Sequence, residues 1–360
     1  MGMAIVKVTP KLNNIQVLRA FAAVTVAVFH TGFKFPLLRP FGGLGVDVFF
    51  VISGYIMARI LDTDDGLSSK FFFRRRILRI VPPYWFFTLS LFCIAMVIPQ
   101  FMKATRADGL ELLKSLAFIP YIKSSGLMRP LLFVGWSLNY EMFFYFALAI
   151  GILLSARHAV WIGSALILAT MFGCKPFAET WVVARFYSNY IVAEFVFGVL
   201  CYYLCRAVSN QTARRFRGLA LAVCFASACL LIAVQAILPE LNVSRIFTLG
   251  ILSFLLVASA SLLSQGNWDT KWRWLVLIGD ASYVLYLTHP YCEYSIDRLL
   301  ARRIHWLAND TATGAPVAVG LSVLLAVLIH VYAERPAVRF LNRRFGGKRK
   351  SVEFSDPTSA

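Results

Sequence analysis

Apolar residues run along the chain in about ten blocks, each near the ~20 residues that one helix needs to cross the hydrocarbon of a bilayer. The blocks fall near 14–32, 43–60, 82–99, 133–154, 159–173, 186–205, 218–238, 246–264, 275–294 and 315–334. A backbone in hydrocarbon must close its own hydrogen bonds, so each block predicts a helix. The one long connection, 100–132, contains an apolar, periodic stretch from Gly109 to Pro120 that is too short to span and fits an interfacial or re-entrant segment. No internal repeat and no second folded domain interrupts the pattern. The predicted organisation is a single membrane domain over 1–345, followed by a polar tail, 346–360, expected to be disordered.

Composition agrees with the pattern. Of 360 residues, 59% are hydrophobic and 15% charged, too few polar residues to clothe a soluble globule of this size. The predicted fold class is therefore an all-α, polytopic integral membrane protein with about ten transmembrane helices. Thirty-six basic and 18 acidic residues leave a formal charge of +18, which in a soluble chain would suggest nucleic acid. Here the distribution of charge decides against that partner. With the N-terminus in the cytoplasm, 22 Lys and Arg fall on the cytoplasmic side and 13 on the other, which favours cytoplasmic N- and C-termini and fits an even number of spans. The first apolar run, Ala20 to Phe29, is followed by Thr31-Gly32-Phe33-Lys34, without the small residues of a cleavage site, and is expected to stay as a span. Seven cysteines lie mostly within apolar blocks and form neither a disulfide framework nor metal-ligand spacing.

Candidate chemistry comes from ionisable residues inside the spans, where they are costly. Arg19 and His30 lie eleven residues apart on the first block, or roughly 16 Å along a helix, with Arg19 near the cytoplasmic face. Arg19 suits either a snorkelling anchor or an anion site, and His30 either a structural hydrogen bond or a general base working near neutral pH. Asp47 falls in the first turns of the second block, on the same side of the membrane as His30. There it is a favourable acid at a helix N-terminus, or a partner that orients the His30 ring. Glu141, in Trp136-Ser137-Leu138-Asn139-Tyr140-Glu141, enters from that side too, and either pairs with an arginine or joins His30 and Asp47 at similar depth. Ser53 and Gly54 read as small residues for close helix packing. His289, just before Pro290, is equally suited to a structural or a catalytic part, and Pro290 is expected to kink its span.

The cytoplasmic side differs in character. Lys70 to Arg79, ahead of Pro82 and Pro83, reads as an interfacial basic helix leading into the third span. Its arginines suit anionic lipid, or a phosphate clamp formed by Arg76 and Arg79 on one helical face. Arg19, Glu334, Arg335 and Arg339 would add to that rim.

At these residues the sequence resembles the acyltransferase 3 family of bacterial membrane O-acyltransferases, in its exopolysaccharide (ExoZ-like) branch, over nearly the whole chain. The marks are Arg19 with His30 eleven positions later, Val46-Asp47-Val48-Phe49-Phe50-Val51-Ile52-Ser53-Gly54, and the paired Arg76 and Arg79. They continue with Trp136-Ser137-Leu138 with Glu141 and Phe144-Tyr145, Ser282-Tyr283 leading to Tyr286-Leu287-Thr288-His289-Pro290, and Glu334-Arg335-Pro336. The resemblance implies an acyl-CoA donor, commonly acetyl-CoA, and a carbohydrate hydroxyl of a surface or secreted polysaccharide, or its lipid-linked precursor, as acceptor. It implies a place in the bacterial inner membrane, His30 as catalytic, and Arg19, Arg76 and Arg79 on the donor side. The expected mechanism has His30, oriented by Asp47, act as base or accept the acyl group, while Glu141 positions the hydroxyl or the histidine. A thioester is already activated, so no metal is expected. The rival expectations are a glycolipid flippase lined by the same polar residues and a structural subunit of an export machine. The absence of two related halves with matching helix breaks weighs against the first, and the buried charges against the second.

Overall fold

A computed structural model describes residues 12–33, 43–64, 67–99, 107–123, 126–241, 245–296 and 310–345, together with 304 and 308; the polar tail at 346–360 lies outside the described residues. All regular structure among them is helical. The α-helices are α1 (Asn13–His30), α2 (Leu44–Thr63), α3 (Ser69–Val97), α4 (Gly109–Leu116), α5 (Trp136–Leu154), α6 (Ala159–Cys174), α7 (Val182–Tyr187) and α8 (Glu194–Ala207). They continue with α9 (Asn210–Arg215), α10 (Arg217–Leu241), α11 (Ile251–Gln265), α12 (Arg273–Asp280), α13 (Ser282–Ser295), α14 (Gly314–Ile329) and α15 (Arg335–Phe345). Five-residue π-helical turns precede α11 (Ile246–Gly250) and join α14 to α15 (His330–Glu334).

Eight helical runs among the described residues are long and apolar enough to cross a bilayer, and they coincide with the second to eighth and the tenth apolar blocks. The other two blocks are helical but polar or divided. The first is α1, whose Asn13, Asn14, Gln16, Arg19 and His30 dilute its apolar character. The ninth is two helices, α12 and α13, separated at Ala281. The break falls where Gly279 lies so close to α1 that a Cβ there would stand 2.0 Å from the Gln16 carbonyl oxygen. Pro290, where the sequence suggests a kink, sits inside α13, which runs on to Ser295.

The third block also departs from expectation. No separate interfacial helix ends at the prolines: α3 runs unbroken for 29 residues through Pro82 and Pro83, opened by the Ser68 side chain, which accepts from Phe71 N at 3.3 Å. Each proline removes one amide donor from the helical ladder. The proline turn is tied to α13 by the Tyr283 hydroxyl, which donates to the Ile80 carbonyl at 2.7 Å. The basic residues 70–79 are therefore carried rigidly on the span itself. The apolar stretch from Gly109 is the short helix α4, capped by Asp108 accepting from Glu111 N at 2.9 Å. Tyr84 and Trp85 of α3 hold it by donating to the carbonyls of Ser115 and Leu116 at 3.2 and 2.9 Å.

Glycines set the tightest helix contacts, as membrane packing favours. A Cβ on Gly54 would lie 2.0 Å from the Phe195 oxygen and one on Gly198 2.1 Å from the Val51 oxygen, so α2 and α8 meet backbone to backbone. Gly45 brings α2 equally close to Ala22 of α1. With α1 and α8 on two sides of α2, its third side is left to face α3, α5 and α13 across a cleft.

Candidate active site

Eleven residues advance an α-helix by about three turns, so Arg19 and His30 lie on one face of α1, at opposite ends. Helices α12 and α13 follow one another beside α1 in the same direction, Gly279 of α12 level with Gln16 at one end and His289 of α13 meeting His30 at the other. The space between α1, α2, α3, α5 and α13 thus has an arginine end and a histidine end.

At the histidine end, His289 Nε2 stands 3.2 Å from His30 Nδ1, with ring centroids 5.0 Å apart. His289 Nδ1 lies 3.1 Å from the Leu285 carbonyl oxygen and His30 Nδ1 lies 2.9 Å from that of Val26. A carbonyl only accepts, so His289 carries its proton on Nδ1 and presents a lone pair on Nε2. His30 Nδ1–H then donates, shared between Val26 O and His289 Nε2. In the neutral ring this leaves His30 Nε2 with its lone pair, the state a general base requires. His289 is wholly buried and His30 half-buried, with Phe133 against its ring at 4.9 Å. Arg129, in the connection before α5, lies within electrostatic range of His30 and Tyr286.

A narrow cleft runs from the arginines towards these histidines, lined by residues that include Arg19, Ser53, Arg76, Arg79, Ser137, Glu141, Tyr145, Ser282, Tyr283 and Tyr286. Tyr286 stands between the cleft and the histidine pair, its ring 6.1 Å from His289 and 6.2 Å from Phe49. Its hydroxyl donates to the Val134 carbonyl at 2.8 Å and lies 2.7 Å from Ser137 Oγ. One turn of α5 further towards the arginines, Glu141 accepts from the Tyr145 hydroxyl at 2.5 Å and from Ser53 Oγ at 3.4 Å. Arg76 lies over the rings of Phe72 and Tyr145, 5.8 and 5.9 Å from their centroids. Its Nε is shut off from solvent and has no hydrogen-bond partner among the described residues.

Arg19, Arg76 and Arg79 also line a second, wider and more open pocket adjoining the cleft, shared with Arg75, Asp280, His330, Glu334, Arg335, Arg339 and Asn342. The three arginines therefore form the neck between an open basic vestibule and the intramembrane cleft. Electrostatics favour an anion at that neck: among the described residues six arginines line the vestibule against two carboxylates, one of which, Glu334, is held 2.5 Å from His330 Nδ1.

Two sequence expectations are corrected by this geometry. Asp47 does not orient His30. Its carboxylate takes Arg245 at both oxygens, Nε to Oδ1 at 2.8 Å and Nη2 to Oδ2 at 2.5 Å, and Arg245 also donates to the Gly43 carbonyl at 3.1 Å. The physical reason is helical periodicity. Val46, Phe49, Phe50 and Ser53 line the cleft, whereas Asp47, Val51 and Gly54 occupy the adjacent face of α2, packed on α8 and α11. Wholly buried Glu194 stands beside the same ion pair. The partner that His30 does have is His289. Glu141 likewise does not converge with His30: it lies one turn beyond Ser137, among Tyr145, Ser53 and the arginines. The sequence reading left His289 open between two roles and had no indication of Arg245, because a contact between residues 198 or 259 positions apart has no local signature.

A helical membrane bundle with a basic vestibule, a polar intramembrane cleft and an orientated histidine at its far end has the parts that a membrane group-transfer enzyme needs. Residues 12–331 match the acyltransferase domain family Acyl_transf_3, and the chain belongs to that family. It is 31% identical over 322 residues to the exopolysaccharide production protein ExoZ of Rhizobium meliloti, covering 87% of this chain and 94% of that one. It is 24% identical over 380 residues to the acyltransferase MdmB of Streptomyces mycarofaciens, covering 93% of each. Against the peptidoglycan O-acetyltransferase OatA of Listeria monocytogenes it is 32% identical over 144 residues, 37% of this chain and 22% of that longer protein. No solved structure matches the chain.

Proposed function

We propose that this protein transfers an acyl group, acetyl in the first instance, from acyl-CoA to a hydroxyl of a surface or secreted polysaccharide or its lipid-linked precursor. The observation that carries the proposal is the match between the cleft and the donor. From thioester sulfur to phosphate, the pantetheine arm has the backbone length of about four extended residues, roughly 14 Å. Arg19 and His30 are separated by eleven residues of helix, roughly 16 Å. Phosphates held at the arginine neck therefore place the thioester at the histidines, once it passes Tyr286. The basic vestibule below the neck has room for the phosphorylated nucleoside. The charge distribution along the sequence supports an arginine end in the cytoplasm, where acyl-CoA is made, and hence a bacterial inner-membrane location.

His30 Nε2 takes the proton of the sugar hydroxyl as its oxygen attacks the thioester carbon. The C–S bond then breaks, and the proton passes from His30 to the departing thiolate, so no net proton or further reactant is needed. His289 holds the ring in the reactive tautomer. The names of ExoZ and OatA, an exopolysaccharide production protein and a peptidoglycan O-acetyltransferase, support a glycan acceptor. Membranes carrying the protein, supplied with acetyl-CoA radiolabelled in the acetyl group, are expected to place label in glycolipid or polysaccharide. Movement of glycolipid between leaflets without protein-dependent label would instead favour the flippase.

A further inference from the structure

Among the described residues, two that line the cleft carry a side-chain atom shut off from solvent and without a hydrogen-bond partner: Arg76 at Nε and Ser282 at Oγ. The arginine is accounted for by the phosphate site. Ser282 is not. It opens α13 and is 0% exposed. A buried hydroxyl left without a partner costs roughly 1–3 kcal/mol, so a serine in a helix normally bonds its own backbone or a neighbour. Thr288 and Ser322 do so, donating to the carbonyls four residues earlier at 2.9 and 2.7 Å. Ser282 does not, although it is one of the residues that line the cleft.

Its height in the cleft names the ligand group. Ser282 lies seven residues before His289, roughly 10 Å down the helix from the reacting centre. Along an extended pantetheine arm, the near amide lies about one residue length from the sulfur, and the far amide with its adjoining hydroxyl about three, or roughly 10 Å. We propose that Ser282 is a donor-binding residue whose hydroxyl hydrogen-bonds the far amide or the neighbouring hydroxyl of the pantetheine arm. This rests on the acyl-CoA reading above and adds a contact with the neutral arm to the arginine contacts with the phosphates. The site thereby reads the arm as well as the nucleotide.

Three acetyl donors test it. Acetyl-CoA has phosphates and the whole arm, acetylpantetheine has the whole arm without phosphates, and S-acetyl-N-acetylcysteamine has only the thioester and the near amide. Ser282→Ala at matched membrane abundance is expected to raise KM for acetyl-CoA and acetylpantetheine by about 2- to 12-fold, the worth of one hydrogen bond, with kcat little changed. Its kcat/KM for the cysteamine thioester should equal that of the unsubstituted protein, which also shows that the variant is folded. An equal loss with all three donors, a loss falling on kcat, or no loss with any would overturn the assignment. Absence of turnover with acetyl-CoA by the unsubstituted protein would instead remove the acyl-CoA reading, and this inference with it.

Discussion

Replacing Asp47 separates a structural from a catalytic carboxylate. Asp47 is wholly buried and both of its oxygens accept from Arg245, whose side chain is 38% exposed. Removing one partner of a buried ion pair typically costs 3–5 kcal/mol, because the other charge is left buried and uncompensated. Solvent reaches Arg245, so Asp47→Asn should fall at or below the lower end, about 3 kcal/mol. Arg245→Met should cost more, since it strands the carboxylate in the interior. Taking about 2.1 cal/mol/K per residue as the unfolding entropy, 360 residues give roughly 0.75 kcal/mol/K, so 3 kcal/mol lowers Tm by about 4 °C. Membrane helices lose less structure on unfolding than soluble domains do, which makes 4 °C a lower figure. The assay is thermal unfolding of detergent-purified protein alongside acyl transfer per folded molecule. Asp47→Asn should unfold several degrees earlier and retain specific activity within a few-fold. The Asp47→Asn, Arg245→Met double variant should be more stable than the Arg245→Met single variant, since neighbouring sites are non-additive. Loss of activity by a hundredfold at unchanged Tm would refute the reasoning and return Asp47 to the reaction.

Two further expectations concern the ends of the cleft. His289→Ala should lower kcat by about 2- to 12-fold by freeing the His30 ring, and His289→Gln, whose amide oxygen can accept from His30 Nδ1, should recover most of it; equal loss in both variants would deny the positioning role. Arg76→Lys and Arg79→Lys should each raise KM for acetyl-CoA and leave acetylpantetheine unaffected, because a point charge replaces a guanidinium fork at the phosphates; unchanged KM in both would leave lipid anchoring as the better account of these arginines.

The helical class, eight of the ten expected spans and the common face of Arg19 and His30 were legible in the sequence because they follow from length, hydropathy and helical periodicity. The arginine neck was legible for the same reason: Arg76 and Arg79 are three residues apart on one helix. Pairings between helices were not, because the face that a helix turns to its neighbour depends on packing. Asp47 illustrates the limit and also the missed signal. It lies seven residues before Gly54, on the same face of α2, and a face marked by glycine is a packing face. Taking the two together would have directed Asp47 at a neighbouring helix and left Val46, Phe49, Phe50 and Ser53 to the cleft. Depth misled in the case of Glu141: entry from the same side as His30 does not fix how far down a helix a residue lies. The division at Ala281 had no signal in the periodicity, and Gly279 beside it packs against the Gln16 backbone 263 positions away.

The central claim is that His30 Nε2 moves the proton of the acceptor hydroxyl, and His30→Asn tests it most directly. The amide can keep a hydrogen bond to His289 or Val26 but cannot take up a proton near neutral pH. Measured as O-acetylation of glycan by membranes with matched protein abundance, His30→Asn should lose about 10²–10⁴-fold in rate, the usual contribution of a general base, with Tm unchanged. Near-normal acetylation by this variant would contradict the account and remove His30 from the chemistry.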